Sequence, residues 1–302
     1  MSSIAITNVH LDLGAGRRGT DMGPSAIHVA KLIPRLKRMG HTIVAVESLG
    51  SKSYEALQIT DASAKFLPNI LEVCKDLKST VMKNLENEHF PLVLGGDHSQ
   101  AIGTISGIAN HFRTQNKELG VIWIDAHTDM NTPESSPSGN IHGMPLSTLI
   151  GIGHPDLVDL NGSQPSLKPE NIAVIGARDV DIGERTLVDQ TGVRVYSMSE
   201  LDRRGAAVCF KEAIELVSKN THGIHLSFDL DGVDPREAPG VGTPVPGGLS
   251  LRESHLICEM LADTKKLVGM EMVELNPTLD IANQTGKLAV WLIQSALGMS
   301  IL

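Results

Sequence analysis

Short apolar, β-branched runs recur along the chain, separated by longer stretches with helical spacing. Eight runs read as strands: residues 4–9, 42–46, 91–94, 121–124, 172–175, 193–197, 224–228 and 267–273. Several are continuously apolar rather than alternating, the pattern of strands covered on both faces. Between them the spacing predicts helices over 24–39, with Pro34 as a kink, and over 61–88, with Pro68 as a break. Two more are predicted over 99–112 and 205–219. Ser250 and Glu253 stand at capping-box spacing before a helix through Leu261, and the apolar stretch 288–302 reads as a buried terminal helix. This alternation predicts an α/β fold: one parallel sheet with helices on both faces. No Pro/Gly/Ser-rich linker interrupts it, so residues 1–302 read as a single domain. Ligands of such sheets bind beyond the carboxyl ends of the strands, which directs attention to the loops there.

Composition narrows the function classes. The chain is 41% hydrophobic and 20% charged over 302 residues, a globular balance that can bury a large core without staples. Cys74, Cys209 and Cys258 are far apart and form no CxxC, which fits a reducing, cytoplasmic setting and excludes a disulfide framework. A net charge of −9 and only 3% aromatic residues argue against a nucleic-acid surface. No basic-then-apolar leader opens the sequence. The apolar tail is too short to span a bilayer and is broken by Gln294 and Ser295. Gly14, Gly16 and Gly19 spell GxGxxG after the first predicted strand, and Glu47 ends the second. Thr20–Pro24 intervenes before the helix, whereas a dinucleotide fingerprint needs its third glycine inside it; the motif reads as a Gly-rich surface loop.

Three predicted strand ends carry the chemistry. Gly95-Gly96-Asp97-His98-Ser99 follows 91–94, Asp125-Ala126-His127-Thr128-Asp129 follows 121–124, and Asp229-Leu230-Asp231-Gly232 follows 224–228. In extended backbone, positions i, i+2 and i+4 share a face, so Asp125, His127 and Asp129 point together, as do Asp229 and Asp231. Each motif alone is compatible with a capped polar turn. Together they bring two imidazoles and four carboxylates to one end of a sheet. Four aspartates sum to −4 and two divalent cations to +4, so a binuclear site is formally neutral, whereas the bare carboxylates would repel. Oxygen-rich ligands with some imidazole suit Mn²⁺, with Co²⁺, Fe²⁺ and Zn²⁺ as substitutes. Two such metals acidify a shared water for attack on an unreactive carbon.

In this order GGDHS, DAHTD and SFDLDGVDP resemble the ureohydrolase (arginase–agmatinase) family, and the resemblance runs from the Gly19–Pro24 loop to Glu274-Leu275-Asn276-Pro277. It implies an eight-stranded parallel sheet in one domain. It implies two Mn²⁺ per subunit, one held by His98, Asp125, Asp129 and Asp229, the other by His127 and Asp231, with Asp125 and Asp229 bridging. The implied reaction is attack of metal-bridging hydroxide on a guanidinium carbon, releasing urea. The segment Ser136-Pro137-Ser138-Gly139-Asn140-Ile141-His142-Gly143 resembles arginases rather than agmatinases. It implies that Asn131, Ser138 and Asn140, with Ser136, hold the α-carboxylate of L-arginine; neutral donors suit that group. It also implies that Asp181, with Glu184 through water, meets the α-ammonium, and that His142 transfers the proton to the departing amine. Glu274 then orients the guanidinium, with Thr243 beside it. Glu134 puts a charge in the substrate loop and is expected to face solvent. Homotrimers or homohexamers are carried over from the family. The alternatives are another guanidino substrate (agmatine, a guanidino acid or formiminoglutamate) or a non-catalytic metal- or arginine-binding homologue. Agmatine would leave the carboxylate donors unused, and loss of a metal ligand, the mark of the second alternative, is not found.

Overall fold

The computed structural model describes residues 1–162 and 164–299. All eight predicted strands are present: β1 (Ser3–His10), β2 (Thr42–Gly50), β3 (Phe90–Leu94), β4 (Leu119–Ile124), β5 (Ile172–Ile175), β6 (Arg194–Tyr196), β7 (Gly223–Asp229) and β8 (Leu267–Val273). They form one sheet, all parallel, in the order β2-β1-β3-β8-β7-β4-β5-β6. Helices cover both faces. Successive residues of β4 show why its sequence is apolar throughout: Ile122 and Ile124 enter one core, Val121 and Trp123 the other. β2 is an edge strand and reaches Gly50, farther than its apolar run. It alternates between half-buried and exposed positions, with Val44 and Val46 on the exposed face.

The helices correct three expectations. The stretch predicted as one kinked helix over 24–39 is two, Gly23–Val29 and Leu32–Arg38, separated at Lys31, whose φ is 67°. Pro34 lies in the first turn of the second helix, where a missing N–H removes no helical bond. Pro68 likewise does not break its helix: it sits at the start of Leu67–Glu86. In both cases proline begins a helix instead of interrupting one. The capping box forms as read, with Ser250 and Glu253 satisfying each other's backbone N–H at the start of Leu251–Thr264. The terminal helix is Gln284–Ala296, and the end of the predicted stretch, residues 300–302, lies outside the described residues. Among the described residues no helix is long and apolar enough to cross a membrane.

Register positions the site. Leu94, Met272, Phe228 and Ile124 pair in one row across β3, β8, β7 and β4. The residues just beyond that row therefore emerge level with one another at the carboxyl edge: Gly95–His98, Glu274, Asp229 and Asp125.

Candidate active site

His98 opens a short 3-10 turn after β3, and Asp97 caps it by accepting from Ser99 N at 3.0 Å. Its Nδ1 lies 3.2 Å from Asp125 Oδ2, 3.0 Å from Asp129 Oδ2 and 3.1 Å from Asp229 Oδ2. His127 Nδ1 lies 3.2 Å from Asp125 Oδ1 and 3.2 Å from Asp231 Oδ2. Asp125 thus offers one oxygen to each imidazole, and the two ligand groups, His98/Asp125/Asp229 and Asp125/His127/Asp231, share it.

The donor set fits cations. His98 Nδ1 and Asp129 Oδ2 are buried without a hydrogen-bond partner, although oppositely charged or polar atoms crowd around them. Native interiors rarely leave such atoms unpaired, and a cation between the imidazole and the carboxylates would satisfy both. Desolvation and the Asp125 charge push the Asp129 carboxyl up to about 7. Desolvation, Asp231 and Asp125 hold Asp229 well above the ordinary carboxylate range. A divalent ion would reverse both effects. Asp129 also adopts a φ of 52° and Glu274 one of 62°, a backbone region that non-glycine residues seldom occupy and that clusters at functional sites.

A cleft opens above this floor. His127, Asp129, Asp229 and Asp231 line its base, and Asn131, Ser136, Ser138, Asn140, His142, Asp181, Glu184 and Thr243 line its walls. His98, Asp125 and Glu274 lie buried beneath it. Thr243 Oγ1 donates to Asp231 Oδ2 at 2.8 Å. Asn131 Nδ2 donates to Asp181 Oδ2 at 3.0 Å, linking the two walls. Glu184 accepts from Thr128 Oγ1, Met130 N and Asp181 N, so both its oxygens are taken up in holding those walls together. Glu134 is exposed and does not line the cleft. His142 Nδ1 is 3.0 Å from Glu274 Oε1, which also accepts from His98 N at 2.8 Å. Desolvation opposes the charged imidazole, but the Glu274 carboxylate outweighs it and raises His142 to about 9.

The sequence profile of the Arginase family matches residues 2–298. Over 301 residues the chain is 51% identical to an arginase of Bacillus subtilis (strain 168), covering 99% of each. The chain belongs to the arginase family. Its fold superimposes on the native Bacillus caldovelox arginase structure with a TM-score of 0.93 at 45% identity, covering all of both chains. An Entamoeba histolytica arginase solved in complex with L-ornithine matches at a TM-score of 0.89 and 31% identity over 99% of each chain. Membership at this identity makes the protein a hydrolase.

Around the arginase-family site lie residues that motif reading passed over. Trp123 Nε1 donates to Asp125 Oδ2 at 3.0 Å, and its ring stacks on His98 with centroids 4.1 Å apart. The glycine-rich loop leans on the site: Gly14 N donates to Asp97 Oδ2 at 2.8 Å, and a Cβ at Gly14 would come within 2.5 Å of Asp97 Oδ1. Its glycine permits a close approach to a carboxylate, not to a pyrophosphate. Arg178 donates to the carbonyls of Gly176, Asp231, Gly232 and Val245, tying the Asp231 loop to the one that carries Thr243.

Asp234 braces the same loops and is not among the candidate metal ligands. Its Oδ1 accepts from Arg236 N and Nε, and its Oδ2 from Gly247 N at 2.9 Å and Gly248 N at 3.3 Å. The Arg236 guanidinium and these N–H groups outweigh desolvation and hold its carboxyl down at about 2. A depressed folded-state pKa contributes stability above the unfolded value of ~4, and that stability is lost as pH falls toward the folded value. Asp234→Asn is therefore expected to cost roughly 1–2 kcal/mol at neutral pH, after allowing for the exposed Arg236, and nothing once the acid is protonated. Urea melts at pH 7 and in acid test this; equal stability at pH 7 would contradict it.

Proposed function

We propose that the protein hydrolyses L-arginine to L-ornithine and urea with two divalent cations, manganese by preference. The observation that carries this reading is Asp125, which presents one carboxylate oxygen to each of two imidazole–carboxylate groups at the floor of the cleft. In this reading His98, Asp129 and Asp229 would hold one ion and His127 and Asp231 the other, with Asp125 common to both groups and Asp229 the second candidate for a shared ligand. When bound, such an ion pair acidifies water and stabilises negative charge developing around the attacked carbon. Water adds to the guanidino carbon, the bond from that carbon to the chain nitrogen breaks, and the nitrogen leaves with a proton as the ornithine amine.

The chain's own residues supply the remainder. Glu274 fixes His142 through its Oε1, and its unpartnered Oε2 is left to orient the guanidinium. His142 lines the cleft and carries the proton that the departing nitrogen needs. Asn131, Ser136, Ser138 and Asn140 supply hydroxyl and amide donors for the α-carboxylate, and Asp181 supplies an acceptor for the α-ammonium. Glu184 keeps Asp181 in place. Thr243, bonded to Asp231, borders the guanidinium. The arginase relatives, one of them solved with L-ornithine, support this assignment of the substrate. We place the protein in a reducing, cytoplasmic compartment, for which the buried, unpaired Cys74, Cys209 and Cys258 are the support. Self-association as a trimer or hexamer accompanies the reading, and sedimentation measures it.

Agmatine separates the substrate assignment from the metal chemistry, because it keeps the guanidinium and lacks the α-carboxylate. Urea release is expected to show a kcat/KM for arginine at least ~10²-fold above that for agmatine, since donors built for a missing group are left unpaired. Comparable values would remove arginine as the substrate and leave a guanidino hydrolase.

A further inference from the structure

Behind the cleft, on the side of His98 that faces away from it, a buried polar chain crosses β7 and β8. His98 Nε2 is 2.8 Å from Ser227 Oγ, and Ser227 Oγ donates to Glu271 Oε1 at 2.9 Å. His225 Nε2 is 3.3 Å from the same Glu271 oxygen. All four residues are at most 1% exposed. Ser227 and Glu271 are register partners across β7 and β8, and His225 and Ser227 share a face of β7 with Asp229. Opposite His225 stands Gly269, where a Cβ would lie 3.1 Å from the imidazole Nδ1. The sheet makes room for this chain, and isolated buried groups of this kind would be costly.

The direction of the hydrogen bonds is determined by chemistry. A carboxylate only accepts, so the Ser227 hydroxyl hydrogen is committed to Glu271. The Ser227 oxygen then has only lone pairs for His98, whose Nε2 must carry the hydrogen. In the neutral imidazole, the form that can take a cation, the other nitrogen, Nδ1, is then the one with the lone pair, and it faces Asp125, Asp129 and Asp229. Reversal of the Ser227 hydroxyl would put a hydrogen on Nδ1, where a cation must bind.

We propose that Glu271, acting through Ser227, is a positioning residue that sets the tautomer and ring orientation of His98 and so tunes one of the two metal sites selectively. His225 supports it by holding the Glu271 carboxylate from the other side. The inference rests on the two-metal reading above. Among the described residues the His127 group has no such chain: His127 Nδ1 faces Asp125 and Asp231, and the rest of its part-exposed ring borders the cleft instead of a buried polar side chain. The two sites therefore respond differently when the relay is cut.

The test is Mn²⁺ titration of chelator-treated wild type, Ser227→Ala, Ser227→Thr and Glu271→Gln, followed by calorimetry and by electron paramagnetic resonance. Wild type is expected to take two ions with the signature of a magnetically coupled pair. Loss of an outer partner to a metal-bound histidine typically weakens binding 10–100-fold. Ser227→Ala is expected to weaken one ion by that factor, leave the other within about threefold, and show single-ion spectra at low metal. Ser227→Thr, which keeps the hydroxyl, restores the pair. Glu271→Gln can donate as well as accept, so it loosens the same ion. If Ser227→Ala does not fold, the near-isosteric Glu271→Gln decides. Two ions held with wild-type affinity in the variants, or both weakened in parallel with falling thermal stability, overturns the proposal. A wild type that never takes a second ion removes the two-metal reading itself, and the proposal with it.

Discussion

Asp125→Asn yields a folded protein that retains no more than one metal ion and releases urea from arginine about 10³–10⁴-fold more slowly than wild type, the scale seen when one member of a catalytic unit is removed. The size of the effect follows from the two contacts of a single side chain. Asp125 Oδ2 faces His98 and Oδ1 faces His127, each at 3.2 Å. An amide keeps the volume and one acceptor but loses a charge and one ligand oxygen, so both ligand sets are damaged together. The fold itself survives, because Ile124 and Trp123 stay in their two cores whatever follows them. Metal analysis after gel filtration, a thermal melt and a urea assay measure the three quantities. A variant with two firmly held ions and a rate within tenfold of wild type would contradict the bridging role.

His142→Ala is expected to behave in the opposite way: both ions stay, and kcat falls about 10²–10⁴-fold, the range of a lost general acid. His142 lines the cleft and is no part of either ligand group. Its Nδ1 is held by Glu274, which leaves Nε2 for the reacting nitrogen. The Glu274 carboxylate favours the charged imidazole against desolvation, which suits His142 to hold the proton that is transferred. Added free imidazole should restore part of the lost rate, since the truncated side chain leaves space of that shape. Unchanged kcat, or loss of metal in the variant, sinks the proton-donor role.

The sequence made the sheet and the floor of the site readable for one reason. Strands buried on both faces need uninterrupted apolar runs, and polar residues placed immediately after such runs stand out. Asp125, His127 and Asp129 follow Ile124 without a break, and Asp229 terminates β7. Register then brings these ends level, which no local pattern states. The helices were less legible because a proline has two meanings, stop and start. Pro34 and Pro68 both start, whereas the real break at Lys31 has no side-chain signature.

The residues behind the site were missed because each looks ordinary alone. Arg178 sits in a polar loop, and only the fold shows that its guanidinium faces carbonyls instead of an acid. Glu271 did leave a signal: a charged residue in the middle of an apolar strand, flanked by Met270 and Met272, is expensive unless it has partners. His225 and Ser227 alternate in the neighbouring strand in the same way. Reading polar interruptions of buried strands as deliberate would have pointed to the relay behind His98.

The number of metal ions that the hydrolysis requires decides most directly between a paired site and any other. Chelator-treated protein should be titrated with Mn²⁺ while urea release from saturating arginine is followed. Activity that is absent without metal and reaches its plateau at two ions per chain is the predicted result. A plateau at one ion, or turnover that survives chelation, would contradict the paired site built on Asp125.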